Sequence, residues 1–101
     1  MDLSSNKISY IKVLEKVKFN KIQILKLSLN HISDRNTFGG INFNELKELN
    51  LSFNRISDIK VLKKITIDRL EILNLSWNQI SVINALSNIS FEELNIWIYL
   101  L

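Results

Sequence analysis

The sequence predicts an α/β solenoid, a stack of short units with a parallel sheet on one side, and three observations carry that expectation. Asn6, Asn30, Asn54 and Asn78 recur every 24 residues. Each sits in one apolar frame, with Leu3, Leu27, Leu51 and Leu75 three positions before it and Ile8, Ile32, Ile56 and Ile80 two after. Ahead of the asparagine, leucines alternate with polar residues, as in Leu49-Asn50-Leu51-Ser52. That is the period of a strand buried on one face.

Repetition also answers a problem of size. A chain of 101 residues, 47% hydrophobic and 23% charged, suits a single folded unit, but a small conventional core buries a modest share of its surface. Stacking like units gives the apolar residues a regular place. The expected organisation is one array over residues 1–101, about four repeats plus a terminal strand, either whole or part of a longer array.

Each strand leads into a turn at the asparagine, whose amide both donates to and accepts from backbone that the bend leaves unpaired. The asparagine row therefore reads as structural. Downstream, Ile59, Leu62 and Ile65 are spaced by three with Lys60, Lys63 and Lys64 between them, which suits a short helical turn with a solvated outer side. Arg35 and Gly39-Gly40 break that spacing in the second unit and predict a loop there.

The stretches IQILKLSLNHI (22–32), LKELNLSFNRI (46–56) and LEILNLSWNQI (70–80) each fit L-x-x-L-x-L-x-x-N-x-L with Ile allowed for Leu. On these motifs the chain resembles the leucine-rich repeat family from Leu3 to Ile96. The later apolar positions, Ile11, Leu14 and Val17, then Ile59, Leu62 and Ile65, then Ile83, Leu86 and Ile89, are similar to its short-repeat class. That class includes the regulatory subunit of type-1 protein phosphatase, an axonemal dynein light chain, a spliceosomal leucine-rich protein and the bacterial internalins. The units here are slightly longer than that class usually has. The resemblance implies a horseshoe segment with a parallel concave sheet and short helical turns or loops on the convex side; it implies no single activity.

Outward strand positions should form columns across the sheet. One runs Asp2, Lys26, Asn50, Asn74 and Asn95; the next runs Ser4, Ser28, Ser52 and Ser76, with Trp97 in the fifth row. A third reads Ser5, Leu29, Phe53, Trp77 and Ile98. Two arrangements fit it: an exposed apolar stripe of the kind found at interface centres, or rings folded over the strand edge onto neighbouring turns. Glu48 stands in the column before the first inward residue, and Lys7, His31, Arg55 and Gln79 follow the asparagines as a polar rim. The candidate partner-binding set is Lys26, Leu29, Glu48, Asn50, Phe53, Asn74, Trp77 and Trp97.

Other classes find less support. Absence of cysteine excludes disulfides, thiolate zinc sites and thiol nucleophiles. His31 is the only histidine and no triad spacing surrounds it; the two glycines make no phosphate-binding loop. No enzyme activity, metal or cofactor is expected. A net charge of +3 with scattered lysines is too mild to imply nucleic acid by itself, although a pI near 9.3 and two aromatics keep RNA binding as the alternative. The start lacks a secretory pattern and the apolar end, residues 96–101, falls short of a bilayer span. A cytoplasmic protein-interaction module follows as the expectation, with self-association through uncapped ends as a further alternative.

Overall fold

Burial follows the leucine frame. In the computed structural model, residues 1–9, 21–33, 43–58 and 69–81 are described in full and 97–99 by their backbone. Leu25, Leu27, Leu49, Leu51, Leu73 and Leu75 are buried, together with Ile32, Ile56, Leu46 and Leu70. Leu3, Ile8, Ile22 and Ile80 pack against that core at its margins. Each fully buried leucine contributes roughly 1.5–3 kcal/mol. Repetition of the same positions in successive rows makes the core continuous along the stack.

The strands are three residues long: β1 (Ile24–Lys26), β2 (Glu48–Asn50), β3 (Ile72–Asn74) and β4 (Trp97–Tyr99). They form one parallel sheet in the order β1-β2-β3-β4. Leu25 pairs with Leu49 and Leu49 with Leu73, so the 24-residue repeat is the register of the sheet. The first row joins through the bridge between Asp2 and Lys26, with the Leu3 N–H on the Lys26 carbonyl at 2.8 Å and the Lys26 N–H on the Met1 carbonyl at 2.9 Å.

The fifth row departs from the expected register. Asn74 pairs with Tyr99 and Ile72 with Trp97, a step of 97 − 72 = 25 residues, whereas the motif at Leu94-Asn95-Ile96 put Asn95 beside Asn74 and Trp97 beside Ser76. The displacement is four residues. An even slip keeps the alternation of a strand unchanged, so alternation could not choose between the two registers; Ile98, expected to end the Leu29, Phe53 and Trp77 column, instead pairs with Leu73. With no asparagine in this row to fix its turn, nothing else in the pattern could.

The asparagines build the turns. Asn54 Nδ2 donates to the carbonyls of Leu51 (3.0 Å) and Ser52 (3.2 Å) in its own row and to Leu27 (3.0 Å) in the row before, while its Oδ1 accepts from the Ile32 N–H at 3.0 Å. Asn30 and Asn78 repeat the arrangement one row either side. Among the described residues no buried side-chain nitrogen or oxygen lacks a partner. The short helical turns expected around Ile11 to Val17, Ile59 to Ile65 and Ile83 to Ile89, and the loop at Gly39-Gly40, lie outside the described residues. Phe43, fully buried, is a core residue that the repeat frame did not mark, since it stands ahead of the motif.

Candidate functional site

The open face of the sheet carries the outward residues of β1 to β3. Nearest the strand starts lie Ile24, Glu48 and Ile72; beside them lie Lys26, Asn50 and Asn74. Asn50 Oδ1 accepts from the Ser52 N–H at 3.0 Å, and Asn74 Oδ1 from the Ser76 N–H at 3.0 Å. A backbone N–H requires an acceptor, so these bonds fix the amide orientation. The Nδ2 donors are therefore directed away from the backbone.

Asp2 makes the same turn in the first row, accepting from the Ser4 N–H at 3.0 Å. That backbone bond, the Ser4 hydroxyl and the nearby charges of Lys26 and the amino terminus hold its carboxyl below the usual aspartate range. Hydrogen bonds to the charged form favour it.

The serine column is less available than alternation implied. Ser52 is only 5% exposed, and its hydroxyl donates to Asn50 Oδ1 at 2.7 Å. Ser28 likewise spends its hydroxyl inside the protein, donating to Ser4 Oγ at 3.0 Å. These serines tie rows and turns together.

At the next position the backbone reverses the alternation. Leu29, Phe53 and Trp77, placed among the outward columns although strict period two from Leu27, Leu51 and Leu75 would turn them inward, each have a positive φ, of 56°, 55° and 58° respectively. The left-handed conformation turns them out: Leu29 is 54% exposed, Phe53 46% and Trp77 65%. Such backbone costs a residue with a Cβ roughly 1–2 kcal/mol. It is held by the N–H bonds of Leu29 to the Ser52 carbonyl (3.1 Å) and of Phe53 to the Ser76 carbonyl (2.9 Å), and by the buried asparagine that follows.

Phe53 and Trp77 both stay out of the core. Phe53 and Trp77 stack on each other with centroids 5.6 Å apart and planes 14° from parallel. One residue beyond Asn30, Asn54 and Asn78 the chain presents His31, Arg55 and Gln79, whose N–H groups bond in register to the carbonyls of Ile8, Ile32 and Ile56 at 2.8–2.9 Å. Lys7 holds the same place in the first row. Arg55 and Lys7 are exposed, and neither makes an ion pair with a described residue.

The eight sequence candidates thus divide. Lys26, Asn50 and Asn74 share one column, Leu29, Phe53 and Trp77 another, and Glu48 lies between Ile24 and Ile72 on the far side of the Asn50 column from the stripe. Trp97 pairs with Ile72, in the Glu48 column and away from the serines. What sequence reasoning missed was the positive φ; a bulky residue between strand and asparagine gives no local signal of it. Among the described residues no group of acidic, histidine or cysteine side chains could hold a metal, and no helix is long and apolar enough to cross a membrane.

A sheet that adds one parallel strand per 24 residues, closed at each turn by an asparagine, defines a repeat solenoid. Two family profiles agree: one described as Leucine Rich repeat matches residues 44–59, and another described as Leucine Rich Repeat matches residues 69–95. These matches, in register with the observed strands and turns, support a leucine-rich repeat family for the chain. No curated protein matches it. Domains of this family commonly mediate protein–protein interaction and are typically non-enzymatic scaffolds.

Proposed function

We propose that this chain is a protein-interaction module that takes its partner on the open face of the sheet, chiefly through Leu29, Phe53 and Trp77, with Lys26, Asn50 and Asn74 beside them. One observation carries the reading. Three large apolar side chains stand in successive rows, about half exposed or more, at positions where the backbone is strained to present them. Exposed apolar patches on soluble domains mark interaction surfaces, and strain of this kind collects at functional sites. Outward amide donors beside the stripe supply the polar contacts that fix orientation.

RNA binding is the weaker reading. Base stacking draws on free ring faces, and Phe53 and Trp77 each spend one of their two faces on the other.

The test replaces Leu29, Phe53 and Trp77 together by serine and compares crosslinked partners with those of the unchanged protein. Circular dichroism and denaturant unfolding on both samples show whether the fold survives. Loss of the partner from a folded variant supports the proposal; undiminished capture by that variant overturns it.

A further inference from the structure

Three features of the stripe say what kind of segment would lie on it, given the interaction reading above. The first is pitch. Leu29, Phe53 and Trp77 belong to adjacent rows whose backbones are hydrogen-bonded to one another, so they repeat at the strand spacing of roughly 4.8 Å; the one ring pair measures 5.6 Å. An α-helix repeats every 5.4 Å or so along its axis, and residues i, i+4 and i+7 or i+8 would meet three successive rows in step. An extended strand presents one face every second residue, roughly 6.6 Å, and is out of step by the third row.

The second feature is charge. On the turn side of the stripe His31 follows Leu29, Arg55 follows Phe53 and the neutral Gln79 follows Trp77, with Lys7 in the row before Leu29; Lys7 and Arg55 have no acidic partner among the described residues. The charged groups on the other side are of mixed sign: Lys26 pairs through its backbone with Asp2 and its charge helps to hold that carboxyl below the usual range, and Glu48 lies in the adjoining column. Glu45 is held by Arg69 at 3.0 Å, one row apart. Among the described residues, the exposed charge that follows the asparagines beside the stripe is positive.

The third is the stacking of Phe53 on Trp77, which joins one face of each ring into a continuous apolar surface. Centroids 5.6 Å apart leave no room for a base intercalated between the two rings.

We propose that the occupant is an amphipathic α-helix of a partner protein, with an apolar ridge along Leu29, Phe53 and Trp77 and acidic residues on the flank facing Lys7 and Arg55. Such a helix crosses the strands, running along the stack. This deepens the interaction reading and rests on it.

The experiment is selection of a peptide-display library, held at net charges from strongly negative to strongly positive, against the intact chain. Expected winners carry apolar residues at i, i+4 and i+7 with Asp or Glu on one flank, and become helical when bound. Each is then measured against Arg55→Glu with Lys7→Glu and against the stripe variant Trp77→Ser. Charge reversal should weaken an acidic winner by roughly tenfold or more, and added salt should weaken it as well. Winners with alternating period-two patterns, basic winners, failure to select any sequence, or tighter binding of a single-stranded oligonucleotide would each overturn the helix assignment. Winners indifferent to Trp77→Ser would overturn the interaction reading itself.

Discussion

Phe53 and Asn54 are neighbours in the chain and opposites in environment. The asparagine is buried, with its amide bonded to four backbone groups in two rows. The phenylalanine is about half exposed, in left-handed backbone, with another aromatic ring as its chief described contact. Together they show a division of labour within a single turn: the polar residue goes inside to hold the bend, and the bend turns the apolar residue out. Hydrophobicity alone would place the two the other way round.

The largest effect that separates these columns should come from Asn54→Ala. It strands the Ile32 N–H and removes one of the two donors at the carbonyls of Leu27, Leu51 and Ser52, which keep Asn30, Asn78 and the Leu29 N–H; at roughly 1–3 kcal/mol for a buried unsatisfied group the loss should reach about 2 kcal/mol or more in denaturant unfolding. A change below about 1 kcal/mol would mean that water or local movement replaces the amide, and the asparagine would lose its structural role.

Leu29→Asn should act in the opposite direction. Asparagine tolerates positive φ, so relief of backbone strain should raise stability by about 1 kcal/mol. Phe53→Asn should gain less, because it also forfeits a ring pair worth about 0.5–1.5 kcal/mol. Unfolding midpoints of the two variants, measured together, separate strain from stacking; equal gains would show that the stack contributes nothing.

Asp2→Asn should have the smallest effect, visible mainly in its pH dependence. The folded carboxyl titrates below its unfolded value, so its contribution is present above the unfolded pKa and fades as pH falls through the folded one. Asparagine, which makes the same turn at Asn50 and Asn74, should keep the Ser4 N–H bonded and remove that dependence. An NMR titration of the Ser4 amide checks this, and an amide insensitive to acid in the unchanged protein would count against the Asp2 bond.

Much of the fold was legible in the sequence because one residue type did one job at one spacing. Asn30, Asn54 and Asn78 marked the turns, and Leu25, Leu49 and Leu73 marked the inward face. Three things were not legible. The exposure of Phe53 and Trp77 depends on a dihedral angle that no pattern of residue types encodes. Ser52 looked outward by alternation, but it is short enough to be covered and to spend its hydroxyl on Asn50. The fifth row lacks the asparagine at the matching place, and a slip of four residues is invisible to a period of two. The candidate site was legible as a column of residues, while its orientation came only with the backbone.

Each asparagine reaches backward. Asn30 Oδ1 receives the Ile8 N–H, Asn54 the Ile32 N–H and Asn78 the Ile56 N–H, so every one of these bends is locked by an amide belonging to the following row. The latch is one-way. As the polypeptide leaves the ribosome, a unit already made would stay ajar until about 22 further residues had emerged to close it, and cutting the stack between two units would unfasten the earlier one while leaving the later one its own latch.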